Sequence, residues 1–91
     1  MDQLSSKELL AFEKYLREDE KSDATVEKYL HDIQCFYAFL GNRPADKSVV
    51  LAYKEHRTEQ YAPASVTSML VALTGFLRFC GLSGCCVKLL K

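Results

Sequence analysis

Four cysteines and two histidines are among the side chains of this chain that could support nucleophilic, redox or metal chemistry. Cys35, Cys80, Cys85 and Cys86 lack the spacing that such chemistry uses. Zinc sites draw thiolates from short fixed spacings such as Cys-x-x-Cys, and the adjacent Cys85 and Cys86 suit neither that geometry nor an ordinary disulfide. Neither His31 nor His56 lies near that pair in sequence. There is no glycine-rich phosphate loop, no cluster with metal-ligand spacing, and no Ser or Cys with an evident His partner. The thiols read as reduced, Cys35 and Cys80 being small core or boundary residues within helices. The chemistry left to this chain is recognition, with no cofactor and no metal expected.

Recognition depends on where charge lies. The 91 residues carry twelve basic and twelve acidic side chains and are neutral overall. Residues 1–60 hold all twelve acids against nine bases, a net of −3. Residues 61–91 hold Arg78, Lys88 and Lys91 and no acid, a net of +3. The last third can face a polyanion without repulsion from its own side chains. The length suits one small domain, and a hydrophobic fraction of 48% can supply its core. No run approaches the roughly 18 apolar residues of a membrane span. The N-terminal MDQLSSKELL has neither the basic start nor the apolar stretch of a signal peptide. A cytoplasmic location is expected.

Helices must position these groups, and the two longest repeat each other. Residues 23–41 read DATVEKYLHDIQCFYAFLG, and forty residues later 63–81 read PASVTSMLVALTGFLRFCG. Ala24, Val26, Leu30, Phe36, Phe39 and Gly41 recur as Ala64, Val66, Leu70, Phe76, Phe79 and Gly81. Apolar residues fall at i, i+3, i+4 and i+7 in both copies, the pattern of a helix that buries one face. Each copy closes with the Gly that commonly follows a helix C-terminus. Ser22 caps the first copy; Pro63 fits the first turn of the second, behind Ala62, which is a poor cap. A shorter helix precedes each. One is capped by Ser5 or Ser6, ends near Arg17 or Glu18, and buries Leu9, Leu10, Phe12 and Leu16. The other is capped by Asp46 or Ser48 and buries Val49, Val50 and Tyr53, with Lys54, His56, Arg57 and Glu59 largely outside. Gly41-Asn42-Arg43-Pro44 divides the chain into two helical hairpins. The expected fold is all-α, a small four-helix orthogonal bundle built from two hairpins. Leu30, Ile33, Phe36, Leu70, Leu73 and Phe76 should form its centre, and residues 6–41 should superpose on 46–81 without a gap.

Ser22-x-x-Thr25-x-x-x-Tyr29-x-x-Asp32-Ile33-x-x-Phe36-x-x-Phe39-Leu40 resembles the second helix of the N-terminal core-binding, SAM-like domain of phage integrases and Xer-type tyrosine recombinases. Ala64-Ser65-Val66, followed by Leu70-x-Ala72-Leu73-x-x-Phe76-x-x-Phe79, resembles the last long helix of the same domain. The resemblance spans nearly the whole chain. It implies a helical domain that embraces one face of a recombination site while a separate C-terminal catalytic domain closes on the other. The Arg, His and Tyr motifs of that catalytic domain are missing here, so the resemblance implies no catalytic residue and no enzyme activity of the domain itself. It implies DNA contacts by Lys21, Ser22, Thr25 and Lys28 and, on the last helix, by Ser65, Thr67, Ser68 and Arg78. Hydroxyl groups at a helix N-terminus suit phosphate. Ser68, Ala72 and Gly75 form a strip of small residues that admits either a DNA backbone or another helix. Thr74 stands where members of the family often carry Arg or Lys.

The expected partners are double-stranded DNA at a recombination site, the catalytic domain of the same full-length protein, and other recombinase protomers on DNA; no membrane is among them. Residues 1–83 would be the DNA-binding domain, and 84–91 a tail or the start of a linker to the catalytic domain. The alternative is a small helical protein–protein interaction module that binds no DNA. Net neutrality favours the alternative; the acid-free last third and the order of the motifs favour the recombinase.

Overall fold

The computed structural model describes residues 6–88. Four helices, α1 (Ser6–Glu18), α2 (Asp23–Leu40), α3 (Lys47–Thr58) and α4 (Pro63–Phe79), are followed by a short 3-10 turn, Ser83–Cys85. Their limits follow from local chemistry. Ser22 has extended backbone angles, and its hydroxyl oxygen accepts the Thr25 N–H at 3.2 Å, which caps α2. Asp46 does the same for α3, accepting from Val49 N–H at 3.0 Å and from the Ser48 hydroxyl at 2.7 Å. These two donors, Ser48 first, hold the Asp46 carboxyl below its ordinary 3.8. Ala62 has the backbone of a cap and no side-chain acceptor, and Pro63 opens α4 behind it. The Ser5 cap expected for α1 lies outside the described residues. At the other ends, Gly41 (φ 64°) and Gly81 (φ 79°) take the left-handed turn for which glycine needs no strain. Glu20 (φ 61°) makes the equivalent turn after α1.

The long helices form the centre and the short ones flank them. Each long helix serves two clusters. Val26 and Ile33 of α2 and Phe76 of α4 pack with Phe12 and Leu16 of α1. Phe36 and Leu40 of α2 and Leu73 and Leu77 of α4 pack with Ala45 and with Val49, Val50 and Tyr53 of α3. Five of the six expected central residues, Ile33, Phe36, Leu70, Leu73 and Phe76, are fully buried. Leu30 is the exception. It is half-buried, because it sits at the margin of the first cluster rather than between the long helices. Leu10 departs further, at 66% exposed: Phe12 and Leu16 define the inner face of α1, and Leu10 points away from it. On α3, Lys54, His56 and Arg57 are half-buried rather than outside. The His56 ring stacks on Phe39 at 5.3 Å, and the Arg57 guanidinium lies 5.3 Å from the rings of both Tyr53 and Tyr61. Aromatic faces can shelter such cationic and planar groups.

The repeat survives in a modified form. The limits of α2 and α4 agree at the expected shift of forty within one residue; Val26, Asp32, Ile33 and Phe36 share their burial with Val66, Ala72, Leu73 and Phe76, whereas Leu40, Leu70 and Leu77 have half-buried counterparts. Lys28 Nζ even donates to the carbonyl of its counterpart Ser68, at 3.3 Å. Aromatic rings of the short helices also reach the long helix of the other hairpin. Phe12 meets Phe76 and Phe79, at 5.2 and 5.3 Å, while Tyr53 meets Phe36 and Phe39, at 5.2 and 5.3 Å. Phe12 and Tyr53 are forty-one residues apart, as are Tyr15 and His56, each of which packs on the corresponding Phe79 or Phe39. The gapless correspondence expected over both hairpins therefore fails by one residue in the flanking helices.

After α4 the chain stays on the bundle. Leu82, Cys85, Cys86 and Val87 pack against the second cluster, and Lys54 Nζ donates to the Lys88 carbonyl at 2.6 Å. All four cysteines are free thiols and half-buried.

Candidate nucleic-acid interface

The residues expected to contact DNA occupy two neighbouring regions. The first is the N-terminus of α2. Thr25 N–H is already taken by Ser22 Oγ, and the Ser22 hydroxyl donates to Thr25 Oγ1 at 3.0 Å. Ser22 is exposed and Thr25 half-buried, so this pair has capping as its first task. Asp23, an anion at the same helix end, is held at 2.9 Å by Arg17, which also reaches Glu13 at 3.2 Å. Those two carboxylates raise the Arg17 pKa, the Asp23 contact being the larger cause.

Lys28 is exposed, but its ammonium is already engaged. It pairs with Asp32, the one buried charged residue of the described chain, and with the Ser68 carbonyl. Its ammonium thereby ties α2 to α4. A free Asp32 carboxylate would be costly in that position, 7% exposed, so the lysine compensates a buried charge. Lys28 and Asp32 are four residues apart on one helix, and that spacing was the available signal for the pair.

The second region is the outer side of α4. Ser65 is exposed in its first turn, Thr67 and Ser68 are half-buried, and Arg78 is exposed in its last turn. No ion pair holds Arg78 among the described residues. A shallow groove beside it is lined by Phe12, Tyr15, Tyr29, Gly75 and Phe79, and by three charged side chains, Asp19, Lys21 and Arg78. The groove continues past Arg78 along Val71, Thr74 and Cys86. The structure thus brings Lys21 and Arg78 to one groove, and Lys28 and Ser68 into contact; Ser65 and Thr67 do not line that groove. Lys21 pairs with exposed Asp19 at 3.3 Å, a surface contact that a stronger anion can displace.

The strip of small residues on α4 is used chiefly for packing. Ala72 is completely buried, and a Cβ on Gly75 would stand 4.0 Å from the Phe12 ring. Gly75, from the small-residue strip, lines the groove; Tyr29 and the exposed aromatic pair Tyr15 and Phe79, 5.1 Å apart, are groove residues outside the contacts expected from sequence. They carry an apolar pattern that marks core and groove alike.

The thiols are not equivalent. Burial pushes the Cys80 thiol up to about 11, with a smaller effect from Glu8, and it raises Cys85 as well. Cys35 has a partner that the sequence reading did not expect: its Sγ lies 3.7 Å from His31 Nε2, one helical turn away. No three His, Cys, Asp or Glu side chains converge among the described residues, and no helix there is long and apolar enough to cross a membrane.

No curated protein and no solved structure matches the chain. The model of the phage integrase N-terminal SAM-like domain matches residues 9–82, from the buried face of α1 to the turn after α4. That stretch contains both hairpins and both hydrophobic clusters, and the chain belongs to the family of phage integrase N-terminal SAM-like domains.

Proposed function

We propose that this domain binds duplex DNA at a recombination site, as the noncatalytic half of a clamp whose other half is a tyrosine recombinase catalytic domain. The observation that carries the reading is the family match over residues 9–82, joined to an α4 whose exposed Arg78 shares a groove with Lys21. The α4 segment has no acid to repel phosphate. Lys21 and Arg78 supply the charge, Ser65 and Ser22 supply hydroxyl groups, and Lys28 holds the two long helices in register beneath them. Few cations serve the face, so the domain alone binds weakly and with little sequence preference. The catalytic domain, tethered to it, multiplies that weak contact through effective concentration. Further protomers occupy the same site.

The test is a low-salt anisotropy titration of a fluorescent mixed-sequence duplex. Weak binding that disappears as salt rises, with a slope of log K against log salt no steeper than about −4, is the expected result. Absence of binding at the lowest salt would favour the second reading, a protein-interaction module. That reading draws on the ion pairs of Lys21 and Lys28 and on the exposed rings of Tyr15 and Phe79.

A further inference from the structure

The outer faces of α1 and α3 repeat each other with their charges reversed. Leu10 and Leu51 are large apolar side chains turned to solvent, 66% and 44% exposed. They are forty-one residues apart, the same offset as Phe12 and Tyr53 on the inner faces of these helices. Each leucine lines a shallow depression on its own helix. One turn further along, α1 carries Glu13 and Lys14 where α3 carries Lys54 and Glu55. Each charge thus has its opposite at the same offset. A single exposed leucine is ordinary. Two at equivalent places, beside inverted charges, make one face the complement of the other.

We propose that these faces dock between copies of this chain, α1 of one copy lying parallel to α3 of the next. Setting Leu10 opposite Leu51 places Lys14 level with Glu55, because each stands four residues beyond its leucine. No ion pair holds Lys14 or Glu55 among the described residues. Glu13 is shared with Arg17 at 3.2 Å, and Lys54 donates to the Lys88 carbonyl at 2.6 Å, so the second charge pair exchanges existing surface contacts and adds little. Run antiparallel, the same faces would oppose Lys14 to Lys47 and Lys7 to Lys54. Two α1 faces docked parallel would oppose Lys14 to Lys14, and two α3 faces Glu55 to Glu55. Among parallel arrangements only the unlike pairing opposes opposite charges. That pairing is heterologous: a copy that gives α1 to one neighbour keeps α3 for another, and copies join in a ring or a chain. The contact is a single helix pair, so association is weak and reversible.

Sedimentation equilibrium of the DNA-free 91-residue chain tests the docking. The wild type should associate as its concentration rises. Leu10→Ser and Leu51→Ser, both at exposed positions, should keep wild-type helical circular dichroism and need at least about tenfold more protein to associate. An equimolar mixture of the two variants should recover a dimer, because one intact α1 face meets one intact α3 face. Lys14→Glu should weaken association, and Lys14→Glu combined with Glu55→Lys in one chain should restore it. A wild type that stays monomeric at about 1 mM would overturn the proposal and leave the two faces to a different partner. Loss in only one leucine variant, or a mixture that does not recover, would overturn it in favour of like faces docking on like. A combined charge exchange that fails to restore association would overturn the parallel register. None of these outcomes depends on DNA binding.

Discussion

Lys28 occupies a position where a phosphate contact was expected, and its ammonium is already engaged by Asp32 and the Ser68 carbonyl. Removing it strands a buried carboxylate. Lys28→Ala should therefore destabilise the domain by about 1–2 kcal/mol in urea unfolding, a value discounted because the lysine itself is partly exposed. Adding Asp32→Asn should recover part of that loss. If Lys28→Ala unfolds at the wild-type midpoint, the lysine is not a tie between helices. Asp46 offers a second residue-level test. Its folded pKa lies below the ordinary 3.8 because Ser48 and Val49 donate to the carboxylate. The unfolded chain then binds the proton more readily, so the cap's contribution is present above 3.8 and is lost as pH falls through the depressed folded value. Asp46→Asn should flatten this part of the acid limb in a comparison of thermal midpoints with pH. An unchanged slope would contradict the cap's titration.

The four helices were legible because their signals are local and mutually consistent. Ser22, Asp46 and Pro63 mark starts, Gly41 and Gly81 mark ends, and period-3.6 apolar spacing marks the buried faces of α2 and α4. The packing of α1 and α3 was less legible. Whether Leu10 or Leu9 turns inward depends on where Phe76 and Phe79 present their rings, which no local pattern states. Arg57 looked solvent-facing by type, yet Tyr53 and Tyr61 cover its guanidinium. The same limit applies to the DNA face: Lys28 has the type of a phosphate ligand, but its buried partner was visible only as an i, i+4 pair. Ala62 gives a prediction at this scale. It has cap geometry and no acceptor, so Ala62→Ser should stabilise the domain by about 1 kcal/mol in urea unfolding. A neutral or negative change would mean that the first amides of α4 are already satisfied.

The molecule as a whole is held by two clusters sharing the same pair of long helices, so a cavity in either is felt by both hairpins. Phe76→Ala, at a completely buried ring that touches Phe12, should cost about 3–5 kcal/mol in chemical denaturation. For a domain of this size that is a large part of total stability. A loss below about 1 kcal/mol would show that the centre is not packed as described. The central claim, that the groove beside α4 is a DNA-binding face, rests on the arrangement of few charges rather than on their number. It is tested most directly by low-salt titration of a fluorescent duplex with two charge-reversed variants of equal net charge. One carries Lys21→Glu and Arg78→Glu, at the groove; the other carries Lys14→Glu and Lys47→Glu, on exposed positions of α1 and α3. The groove variant should lose roughly tenfold or more in affinity while the flanking variant stays within about twofold of the wild type. Equal losses in the two variants would contradict the account, because the attraction would then be diffuse and the groove would not be a site.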